Sequence, residues 1–362
     1  MVDVTDATNA TTTATGNSFD GTVDQGDLNV TSNQSLQSNV TASSTLNVAS
    51  NSGAQTALTT AATGNTGDAG VFAGGLTGTF TQATGATNIT ASTHIEAPNG
   101  SAGNVASSVQ AIGNSQGFGV TSGYSSVTVD QTNQAQVVSD GGGLYGHVSG
   151  QATFSAATAA NNVTAASAGG ASQDIAATQS NQAPITQASQ FTNFGNAYLT
   201  TTGATATGNN ISAANEGSTL SVTANQQNSA YVRAETVSTG YDFGAGSAVS
   251  YGVGNSLFAG NAGTETLIDN TQVNDGGGVD VMASYTGNQG YDASASATAI
   301  GNAATGYACA ECDGYVGATN RQTNSADVGA RSTTSVASAR SVNGVATAVG
   351  NTASYYVSRP NQ

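Results

Sequence analysis

Two stretches decide how this chain is read: Ala297-Thr298-Ala299-Ile300-Gly301-Asn302 and Ala346-Thr347-Ala348-Val349-Gly350-Asn351. They are one six-residue phrase repeated 49 residues later, with Val in place of Ile. Working outward, the closing pair recurs at Gly16-Asn17, Gly64-Asn65, Gly113-Asn114, Gly208-Asn209 and Gly254-Asn255, and Asn161-Asn162 fills the one gap. Successive copies, counted on Asn17, Asn65, Asn114, Asn162, Asn209, Asn255, Asn302 and Asn351, are 48, 49, 48, 47, 46, 47 and 49 residues apart. A fixed period running through the chain means stacked repeats, each too small to bury its own core.

A second column confirms the register. Gln34, Gln82, Gln131, Gln179, Gln226 and Gln272 each stand 18 residues after the first member of the pair, and Gln322 stands 21 after it, beyond a short insertion. Five of them continue as Gln-x-Asn, giving Asn133, Asn181, Asn228, Asn274 and Asn324. Around both columns small and branched apolar residues alternate. Ala14, Ala62, Ala111, Ala159, Ala206, Ala299 and Ala348 lie two before the pair, and Val40, Val137, Ile185, Val232 and Val328 lie six after the Gln. Period two means strand, and small inward residues mean a narrow interior.

The expectation is an all-β, repetitive β-solenoid forming one domain over residues 1–362, with eight repeats of about 48 residues and residues 303–362 as a C-terminal cap or docking region. Each repeat reads as four short strands, and two coils of about 24 residues per repeat would stack into a rod of about 70 Å. In a solenoid each column recurs above itself, so Asn and Gln amides can donate to one neighbour and accept from the other. Gly beside Asn is expected to supply a positive φ at a corner.

Composition narrows function. The chain has 21 acidic and 5 basic residues, no lysine, and a formal charge of -16. No basic patch exists to neutralise phosphates, so nucleic acid is excluded as a partner, as is polybasic attachment to lipid. No stretch of ~18 apolar residues is present to cross a membrane as a helix. Met1-Val2-Asp3-Val4-Thr5 has no signal-peptide character, and the exported look of the composition leads us to expect that a signal peptide has been removed ahead of it.

Sites for chemistry are sparse. His94 and His147 are the only histidines and occupy different places in their repeats. Asp20, Asp24 and Asp27 cluster, as do Asp269, Asp275 and Asp280, and read as solvated loop carboxylates rather than an acid–base or calcium site. Asp140 and Asp275 each precede three glycines but at unequal offsets, against a repeated calcium loop. Cys309 and Cys312 form the only Cys-x-x-Cys, without two further ligands for zinc, and are expected to form a local disulfide. No catalytic residue, metal or cofactor is expected. Phe19, Phe72, Phe118, Phe258, Tyr307 and Tyr355 follow the Gly-Asn columns and either fill the thin core or offer rings to a glycan or a partner.

The phrases at 297–302 and 346–351, with the following Gln-x-Asn, resemble the holdfast anchor protein D family of stalked alphaproteobacteria, and the amide columns resemble the logic of curli-type fibre subunits. The resemblance implies a non-catalytic, secreted, outer-membrane-associated anchor that fastens adhesive polysaccharide to the cell surface. Its implied partners are other surface anchor proteins, a curli-like secretion pore and the polysaccharide. Open strand edges add an expectation of self-association into fibres. The competing readings are a polysaccharide-active β-helix enzyme and a soluble carbohydrate- or ice-binding solenoid.

Overall fold

The computed structural model describes residues 2–309 and 314–358. Among them every regular element is a strand, as the Val/Thr/Ala/Ser alternation dictates. One coil shows the plan. Asn104–Thr121 forms side A as far as Gly113-Asn114 and side B beyond it; Tyr124–Asn133 is side C; the first part of Gln136–Ala168 is side D, and the same strand continues as side A of the next coil. Sides D, A and B stack into a 12-stranded sheet and side C into a 7-stranded one, with all neighbours parallel.

The chain is a β-solenoid. Registered partners lie 46 to 50 residues apart, from Thr219 beside Glu265 to Glu265 beside Tyr315. One repeat is therefore one coil, which corrects the expected two. Four sides are needed because the interior is not a single narrow tube but two lobes, and a 24-residue circuit could enclose only one. Seven rises between eight stacked layers give a height of about 34 Å, not about 70 Å.

Sides B and C enclose one apolar cluster, built on Leu76, Phe80, Val127, Ile175, Ile211 and Val222. Sides D and A enclose the other, with Ile89, Val137, Ala206, Val232, Val281 and Ala297. Near the first coils it is extended toward the D/A corner by Leu58, Ile95, Tyr145 and Phe154. Between the lobes runs a waist where the A/B corner meets the end of side C, and this is where the Asn and Gln columns fall. Thr186, not Ile185, takes the inward place on side D of its coil.

Corners explain the glycines. At Gly-Asn the inward–outward alternation changes phase, so that Gly113 and Asn114 are both buried. The glycine there does not have a positive φ, contrary to expectation. It is needed for close approach instead: a Cβ on Gly64 would stand 2.5 Å from the Gly113 carbonyl oxygen of the adjoining coil. Positive φ occurs at other corners, as at Gly53 and Gly276, and repeatedly at the B/C corner, where Gln25, Ala73 and Ser122 have φ of 58°, 55° and 55° and Gly169 follows with 64°. A side chain in that region is strained by about 1 kcal/mol or more. Ala73→Gly and Ser122→Gly should therefore each stabilise the chain by about 0.5–1 kcal/mol, while Gly169→Ala should lower stability by a similar amount, read as shifts of the denaturant midpoint.

Candidate functional site: an amide waist and an aromatic corner

Asn17 Nδ2 donates to Asn65 Oδ1 at 2.7 Å, and the relay continues at 2.7–2.8 Å through Asn114, Asn161, Asn209, Asn255 and Asn302 to Asn351. The second N–H of each amide crosses the waist to a side C carbonyl, as from Asn114 to Thr132 O at 3.0 Å. The Gln column runs the other way: Gln82 donates to Gln34, and Gln131, Gln179, Gln226, Gln272 and Gln322 each donate to the Gln before, at 2.7–2.8 Å. Its spare N–H returns across the waist, as from Gln131 to Asn162 O at 2.9 Å. A third relay joins Asn133, Asn181, Asn228, Asn274 and Asn324 at 2.6–3.1 Å. Asn65, Asn114, Asn209, Asn255 and Asn302 have no exposed surface, so each side-chain bond replaces one that water can no longer make.

The fourth member of the first relay is Asn161, not Asn162. Asn161 lies beside Asn114 and is fully buried, and Ala160 takes the place of the glycine. Asn162 is half-buried, one step outside, where its Oδ1 accepts from Asn210 Nδ2 at 2.8 Å. The same one-residue shift puts Thr158 inward in place of Ala159. A shorter buried column that the sequence reading missed joins Ser167, Asn215 and Asn261 at the B/C corner.

The six aromatics do not form one outward row. Phe19, Phe118 and Tyr355 face the B/C lobe, where Phe80 packs between Phe19 and Phe118 with centroids 6.4 and 4.9 Å away. Phe72, Phe258 and Tyr307 face outward in three different registers, and Tyr307 stacks on Tyr356 at 5.8 Å. The reason is parity: the phase change at Gly-Asn makes offsets of odd and even length point to opposite faces.

The acidic groups are dispersed. Asp269 lies on side C and meets Arg321 at 3.1 Å; Asp275 sits at the C/D corner and accepts from Ser229 at 2.8 Å; Asp280 on side D meets Arg331 at 3.5 Å. Asp20 stacks on Asp68, whose carboxyl is pushed up mainly by burial and further by the Asp20 charge. His94 meets Glu96 at 2.6 Å, and His147 is exposed elsewhere on side D. Cys309 ends Val279–Cys309, while Cys312, and with it the expected disulfide, lies outside the described residues. So does part of the expected cap.

What the sequence reading did not single out is the D/A corner. Tyr198 and Tyr291 project there two coils apart and are 70% and 65% exposed, and Tyr241, 63% exposed, projects from the end of side D on the coil between them. A signal existed: Tyr198 and Tyr291 both stand ten residues before a Gly-Asn pair.

The model of the family described as holdfast attachment protein D matches residues 2–278. No curated protein and no solved structure matches the chain.

The two candidate ladder residues separate in a melting experiment. Asn161→Ala removes a fully buried amide and strands Asn114 Nδ2, Asn209 Oδ1 and Ser180 O, so it should cost about 3 kcal/mol or more. Asn162→Ala should cost under about 1 kcal/mol. Equal losses would contradict the assignment.

Proposed function

Because the chain belongs to the holdfast attachment protein D family, we propose that it is a non-catalytic anchor that fastens adhesive polysaccharide to the bacterial outer membrane. The observation that carries this reading is the family match, which spans residues 2 to 278. The architecture supports it. The coils are spent on repetition, and the outward faces carry hydroxyls, amides and tyrosines suited to many weak contacts with a polymer. Asp269 on side C and Asp280 on side D are each paired with an arginine of the next coil, Arg321 and Arg331, which supports a structural role for them.

In this reading the protein is exported through a curli-like pore and sits on the outer membrane beside other anchor proteins. Self-association is part of the proposal. The Asn relay donates toward the C-terminal coil and the Gln relay toward the N-terminal one. A further coil added in parallel, from a second copy of the chain, would continue both without reversing a bond.

Deleting the gene in its host should leave cells that shed their adhesive material, and the purified protein should leave the chain length of that material unchanged. A deletion strain that attaches normally, together with glycan shortened by the purified protein, would replace the anchor with an enzyme.

A further inference from the structure

The D/A corner holds a recess of about 370 Å³, lined by Tyr198, Gly244, Ala245, Tyr291, Asp292 and Arg340 among others. Register explains its shape. Ala197 pairs with Phe243 and Leu199 with Ala245, which in turn pair with Gly290 and Asp292, and the Arg340 amide donates to the Tyr291 carbonyl. The corner position therefore reads Tyr198, Gly244, Tyr291, Arg340 on four successive coils. The two tyrosine positions are two rises apart, about 9.6 Å, with a glycine between them. A flat ring touching an aromatic face on each side needs two contacts of about 3.5–4 Å, which this spacing admits.

Two features keep the gap open and ready. A Cβ on Gly244 would stand 2.3 Å from the Tyr198 carbonyl oxygen and 3.3 Å from Cδ2 of the Tyr198 ring, which leans over this floor, so a side chain there would have to move the strand and would crowd the ring. Arg340 is held by Asp292, to which Nε donates at 3.1 Å and Nη2 donates alongside. Its guanidinium lies 5.9 Å from the Tyr291 ring centroid, at the wall of the same recess.

We propose that this recess is a saccharide clamp that stacks an uncharged pyranose unit between Tyr198 and Tyr291, with Asp292 and Arg340 bonding its hydroxyls. The proposal rests on the anchor reading and names the contact through which the polymer is held. The axial C–H face of a pyranose suits a tyrosine ring, and its equatorial hydroxyls suit a paired carboxylate and guanidinium. Charge selects the uncharged sugar: among the described residues the one cation lining the recess, Arg340, is matched by Asp292, and the whole chain carries -16, which repels a uronate polymer. The same order of ring, glycine, ring recurs on side D, where His94, Gly142 and Phe191 are register neighbours lining a recess of about 570 Å³.

The test uses the purified full chain with cellohexaose, hexa-N-acetylchitohexaose and hexagalacturonate as probes. The chain has no Trp, so its intrinsic emission comes from its 12 tyrosines, and comparison with the Tyr198→Ala and Tyr291→Ala variants isolates the part due to the corner. At least one uncharged hexasaccharide should give a saturable change, Tyr198→Ala and Tyr291→Ala should each weaken it about tenfold, and Tyr315→Ala, on side C, should not. Binding of neither uncharged probe, unchanged affinity in both corner variants, or preference for the uronate overturns the clamp. Host cells keep this separate from the anchor reading. If deletion abolishes attachment while the Tyr198→Ala/Tyr291→Ala double variant restores it fully, the clamp falls and the anchor stands. If deletion leaves attachment intact, the anchor reading falls whatever the corner binds.

Discussion

The rest of this structure depends on what happens to a primary amide buried at the waist of each coil. Asn114 has no exposed surface, two donors and an acceptor to satisfy, and backbone on both sides of it. One N–H goes across the waist to side C of its own coil, the other goes up to Asn161, and its oxygen accepts from Asn65 below. Across and along are thus tied by a single side chain. Aspartate or leucine of similar size could do neither job, and an unpaired amide there would cost about 1–3 kcal/mol per stranded group. The constraint propagates: if one coil needs Asn at this place, so does the next, and the period of the chain follows.

The waist also explains the two-lobed interior. Ala, Val and Thr alone cannot fill a wide core, and a polar wall lets the coil be wide while each lobe stays thin enough for small side chains. Large rings appear only where a lobe has room, as with Phe80 and Phe118 in the B/C lobe and Phe243 against Tyr285 in the D/A lobe, 5.2 Å between centroids. Tyr285 is held so completely that its hydroxyl is pushed up to about 12 by burial. With the interior settled by repetition, the outer faces are free to vary, and function sits on the variation. Arginines are one case: Arg321, Arg331 and Arg340 reach back to Asp269, Asp280 and Asp292 of the preceding coil, pairs worth little individually at such exposure.

How much of this was legible in the sequence differs by feature, for physical reasons. The ladders were readable because a relay needs the same residue in every coil, so Gln34 to Gln322 announce themselves at a nearly constant offset. The number of coils per repeat was not, because period fixes what recurs and says nothing of how many sides the chain takes to return. The step between Asn161 and Asn162 was hidden because Ala160 stands where every other copy has glycine, leaving two equivalent-looking amides. The glycine's role was misread as a turn when it is a clearance, a distinction visible only once the neighbouring carbonyl is placed. The tyrosine corner carried a usable offset, but two copies with a glycine between them look like noise until stacking makes the gap a shape.

The central claim, that buried amides carry the stack, is tested most directly by hydrogen exchange of Asn and Gln side-chain amides in the ¹⁵N-labelled native protein. The account predicts that the side-chain N–H groups of Asn65, Asn114, Asn161, Asn209, Asn255, Asn302, Gln82, Gln131, Gln179, Gln226 and Gln272 exchange as slowly as the most protected backbone amides, only through global opening. Exposed amides such as Gln37 and Gln134 should exchange at once. Fast exchange throughout the ladder set, with the backbone still protected, would contradict it.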